Sequence, residues 1–75
     1  MFWNKEKKSF SVNYEEIVRK GIDTVAIAGT KIVFAKDPNE AVLVCQSQVV
    51  KETKYPKDLI DVGIDEIEER GVLPL

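Results

Sequence analysis

The sequence predicts an α+β fold: a short N-terminal helix, a three-stranded antiparallel β-meander, and a C-terminal amphipathic helix packed on the sheet. Three observations carry this expectation. Between Thr24 and Val50 the chain is built mainly from β-branched and apolar residues in short runs. Two of those runs, Lys31–Ala35 and Ala41–Cys45, flank Asp37-Pro38-Asn39-Glu40. That tetrapeptide reads as a type I turn, because Pro fixes φ and Asn accepts the bridge region. On either side of this stretch, the residues after Asn13 and after Pro56 carry helix start and stop signals.

Taken in order, residues 1–9 form an N-terminal arm and residues 10–75 a single α+β domain. The arm holds Phe2 and Trp3 followed by Lys5, Lys7 and Lys8. Phe10 and Val12 alternate with Ser9, Ser11 and Asn13, as in a short edge strand. Asn13 then stands as a helix N-cap, Glu16 closes a capping box, and Val12 and Ile17 occupy the staple positions. Gly21 ends this helix, Tyr14–Lys20, with Ile22 folded back on Ile17. Thr24–Ala28 is the first strand, Gly29-Thr30 a tight turn, Lys31–Ala35 the second strand. Ala41–Cys45, extending toward Val50, is the third. Each strand is apolar on both faces, so the sheet needs two covers. After the polar connection Lys51–Tyr55, Pro56 opens the last helix and Gly71 closes it. Leu59, Ile60, Gly63, Ile64 and Ile67 share one side of its wheel, and the acids take the other with Val62 as a misfit. Gly63 leaves open a split, since Asp65 with Glu68 makes a second cap.

Seventy-five residues make one domain near the lower limit for an unstapled core. A chain this size hides only ~60% of its unfolded surface. One cysteine excludes an internal disulfide, and a lone Cys45 in an apolar run fits a reducing cytoplasm, the expected location. Met1–Lys5 lacks an apolar signal core, and the longest uncharged run, Ala41 to Val50, is too short to span a bilayer. The net charge of −2 is unevenly spread. Residues 1–20 carry five basic and three acidic groups, whereas six carboxylates and no basic residue lie from Asp58 to Glu69. Such polarity offers a basic arm and an acidic face to different partners.

The chain has no histidine, which removes Ser-His and Cys-His nucleophile systems and imidazole metal sites. Cys45 reads as a buried apolar filler, the acids lack the spacing of a calcium loop, and no glycine-rich phosphate loop exists. The expectation is therefore a protein without enzymatic activity, metal or cofactor. Two contact surfaces remain. Asp61, Asp65, Glu68 and Glu69 would dock a basic protein surface, and Phe2 and Trp3 would anchor the arm on a partner. The favoured function is a small acidic inhibitor or regulator that occludes a basic surface of a larger complex. A homodimer across the two-faced sheet or along Val42–Val50 is a further expectation. An acidic chain argues against nucleic acid, so a small nucleic-acid-binding barrel is the alternative, beside a structural homo-oligomer.

A short helix, a strand ending near Gly29, and strands leading to Gln46-Ser-Gln-Val49 resemble the helix-plus-barrel order of Sm-like RNA chaperones over about half of the chain. The strongly bent, glycine-bearing second strand of those barrels is absent, and no residue is carried across.

Overall fold

The computed structural model describes residues 7–72, with side chains as far as Arg70. The elements are β1 (Lys8–Lys20), β2 (Asp23–Ala35), α1 (Pro38–Glu52), a 3-10 turn (Lys57–Leu59) and β3 (Ile60–Val72). The strand order is β2-β1-β3, and β1 runs antiparallel to both neighbours. The small α+β class and the antiparallel sheet are as expected. The arrangement is not: among the described residues one helix lies between β2 and β3, with neither an N-terminal nor a C-terminal helix. The sheet is consequently not a meander, and the helix-plus-barrel order is absent.

Tyr14–Lys20 is strand, not helix, because the alternation of Phe10 and Val12 continues through Tyr14, Glu16 and Val18. Alternate side chains of one strand share a face, so Asn13-Tyr-Glu-Glu16 caps nothing. Gly21 does have the positive φ expected of it, 61°, but as the first residue of a two-residue hairpin loop between Lys20 and Asp23. Thr24–Ala28 and Lys31–Ala35 are collinear halves of β2, and Gly29-Thr30 is no turn. Gly29 lies instead under its cross-strand partner Tyr14; a Cβ there would stand 2.5 Å from the Tyr14 hydroxyl oxygen.

Asp37-Pro38-Asn39-Glu40 starts a helix where a hairpin tip is expected. Asp37 is the N-cap in extended conformation, its Oδ1 accepts from the Glu40 N–H at 2.8 Å, and Pro38 fills the first turn. Glu40 reaches back, accepting from the Lys36 N–H at 2.6 Å. Ala41–Val50 is then helical, and the spacing of Ala41, Cys45 and Val49 buries one stripe. The chain after Pro56 is strand because Ile60, Val62 and Ile64 alternate onto the helix-covered face. Gly71, expected to stop a helix, lies within β3.

Phe10, Val12, Val33 and Ala35 from the sheet meet Ala41, Cys45 and Val49 from α1, flanked by Tyr14, Val62, Ile64 and Ile67. Each buried Val or Phe side chain is worth about 1.5–3 kcal/mol. The helix spans ~22 Å and the strands ~43 Å, so α1 covers about half of the sheet. The molecule accordingly measures 49 × 22 × 18 Å, with the hairpin tip beyond the helix. A polar latch closes the covered part. Lys31 Nζ lies 2.7 Å from Glu52 Oε1, the Thr53 hydroxyl donates to the Glu16 carboxylate, and Gln46 Nε2 donates to the Val62 carbonyl at 3.1 Å. The hydrogen bond to Glu52 holds the Lys31 pKa above the usual lysine value. Farther out, the 3-10 turn contacts β1, where Val18 and its register partner Ile60 are buried.

Two outcomes test this packing. Gly29→Ala should lower stability by about 1 kcal/mol, because crowding against Tyr14 outweighs the better strand propensity of alanine. In a Tyr14→Ala background the same change should become neutral or stabilising, as a double-mutant cycle of urea unfolding would read. The Cys45 thiol, fully buried and with its pKa pushed up mainly by burial, should resist a disulfide reagent in the native state and react promptly in denaturant. Fast native labelling would contradict the described core.

Candidate functional site

The two edges of the sheet are chemically opposite. Pairing of β1 with β2 is unbroken from Lys8↔Ala35 to Lys20↔Asp23. Pairing with β3 shifts register twice, between Ser9 and Phe10 and between Asn13 and Tyr14. The second shift leaves Asp65 as the extra residue of a bulge and moves the face pattern from even to odd positions. Asp61, Glu66 and Glu68, opposite Ile17, Asn13 and Ser11, therefore belong to the helix-free face, and Glu69, opposite Phe10, belongs to the helix side.

Asp61, Asp65, Glu68 and Glu69 thus gather on one outer strand, β3, although not on one helix face. All four are exposed. Arg19 ties Asp61 from the neighbouring strand and donates from Nη2 to the Asp58 carbonyl at 2.8 Å. Lys8 Nζ lies 3.6 Å from Glu69 Oε2. Asp65, Glu66 and Glu68 have no ion pair among the described residues. Sequence reasoning missed the roles of Arg19 and Lys8 as partners of the acidic strand, and the signal for them was the unbroken alternation of β1. Phe2 and Trp3 lie outside the described residues.

The rest of the helix-free face is mixed. Its centre is polar, with the Thr30 hydroxyl donating to Asn13 Oδ1 at 2.8 Å. Its β2 side is apolar, carrying Ala26, Ala28, Ile32 and Phe34. Of the two covers expected for the sheet, the described residues supply one, α1, and among them nothing covers the second face along β2. One open depression of about 530 Å³ beside α1 is lined by Gln46, Ser47, Val50, Lys51 and Lys57. Among the described residues no helix is long and apolar enough to cross a membrane. What the described surface offers chemically is charge along β3 and backbone along both edges that no described strand pairs.

No family model, curated protein or solved structure matches this chain.

Proposed function

We propose that this protein is a non-enzymatic binding module that presents its acidic β3 edge to a basic surface of a larger protein, as a small inhibitor or regulator does. The observation that supports this reading is the group Asp65, Glu66 and Glu68, exposed on a free strand edge with no basic partner among the described residues. Like charges held together on one edge cost some stability, and an oppositely charged partner relieves that cost while steering encounter. The bulge at Asp65 disfavours pairing by an added strand, which leaves electrostatic docking as the mode of recognition. A free thiol in the core fits the cytoplasm, where it stays reduced.

Replacing Asp65, Glu66 and Glu68 by Asn, Gln and Gln should leave the unfolding midpoint nearly unchanged, since exposed carboxylates contribute little to stability. Association with the partner isolated from the native host should slow by about tenfold at low salt, and its salt dependence should flatten. Replacing the ion-paired Asp61 and Glu69 should have a smaller effect. Equal association rates for the wild type and the triple variant across a salt series would overturn the reading.

A further inference from the structure

The β3 edge is protected against strand addition and the β2 edge is not. Exposed edge strands are normally blunted by charge, proline or bulges. β3 has acids and two register shifts. β2 has no proline and no register shift, and from Thr24 to Thr30 no charged residue. Its hairpin geometry also fixes what it offers. A two-residue loop makes Lys20 and Asp23 a hydrogen-bonded pair, so the odd residues of β2 face β1. The backbone N–H and C=O groups of Thr24, Ala26, Ala28, Thr30 and Ile32 consequently point outward along the free edge.

We propose that β2 pairs antiparallel with β2 of a second copy, centred on Ile27, to make a closed dimer with a continuous six-stranded sheet. Charge selects both the occupant and the register. Asp23 and Lys31 are the only ionisable residues of β2. A two-fold axis at Ile27 sets Asp23 opposite Lys31 of the other copy, twice, where it would join the Lys31–Glu52 pair, whereas centring on Lys31 would oppose two like charges. The same register sets Thr24 opposite Thr30, Ala26 opposite Ala28, and Val25 opposite Gly29. It also sets Ile22, fully exposed at the hairpin tip, opposite Ile32, 52% exposed. On the helix side, Val25 and Ile27, 41% and 40% exposed beyond the end of α1, meet their counterparts between the two helices. The outer edges of the six strands are then both β3, whose acids and bulges stop further growth, so the assembly closes at two. This dimer is independent of the partner proposed above and leaves the acidic edges free to meet it.

Light scattering at micromolar concentration should give a mass twice the 8.5 kDa of the chain. Ala26→Lys, which puts a charge on the edge without touching the core, should return the mass to 8.5 kDa with an unchanged circular dichroism spectrum. Register is read by crosslinking. Ile27→Cys should oxidise to a dimer stable in detergent, and neither Val25→Cys nor the parent with its buried Cys45 should do so. A monomeric wild type overturns the dimer. A dimer that survives Ala26→Lys overturns the β2 edge, and crosslinking through position 25 but not 27 overturns the register.

Discussion

Every part of this fold hangs on the 13-residue strand β1. β2 and β3 do not pair with each other; each finds its strand partner in β1 alone among the described residues. The helix closes over the same strand, since Phe10 and Val12 lie at the centre of the core it buries. A break in the alternation of Phe10, Val12, Tyr14 and Val18 would therefore separate the sheet into an isolated hairpin and a lone strand, neither of which is stable in water. Glu16 is the one acid on that face of β1, and it stands where α1 ends, bonded to Thr53. The core thus stops where the polar latch of Glu16, Lys31, Glu52 and Thr53 begins.

The helix is short relative to the strands, and this mismatch shapes the surface. Over the covered half, the core face is buried and its small residues, Ala35 and Ala41, let α1 start close to the end of β2. Beyond the latch, the same face carries Val25 and Ile27 half exposed, and the tip carries Ile22 in solvent. A small domain has a narrow stability margin, and apolar surface left exposed among the described residues along one strand narrows it further. The opposite edge is managed differently: Asp65 interrupts the ladder, and the acids around it raise solubility and repel a like strand. One edge is an uninterrupted ladder with few charges, and the other is bulged and acidic.

Local signals in this chain are mostly real but attach to a different element from the one they suggest. Asp37, Pro38 and Glu40 do punctuate the chain, yet the same residues serve a type I turn and a helix N-terminus equally well, and only the downstream segment separates the two. In that segment, Ala41–Val50, the valines favour strand while the spacing of Ala41, Cys45 and Val49 favours helix. In β3 the bulge at Asp65 changes the strand's phase, so Ile60, Ile64 and Ile67 fall at intervals of four and three and imitate a helix face. Val62, the residue that does not fit the helical wheel, is the one that reports the true period of two. In β1 a capping-box pattern masks an alternation that continues past it.

Composition, charge and the residue inventory were thus determined by the sequence alone: an α+β class with an antiparallel sheet, a buried free Cys45, a glycine at positive φ at residue 21, and acids concentrated after Asp58. These follow from residue chemistry or from one residue's conformational freedom, and they do not depend on neighbours distant in sequence. The pairing of β1 with both β2 and β3, the close approach of Tyr14 to Gly29, the tie of Arg19 to Asp61 and the free β2 edge were decided only by tertiary structure. Each brings together residues separated by many positions, and a strand acquires its face, its edge and its register from its partner. Intrinsic preference is worth a few tenths of a kcal/mol per residue, whereas burying one side chain in a shared core is worth several times that. Where the two disagreed, from Asn13 to Gly21 and again from Ala41 to Gly71, packing won.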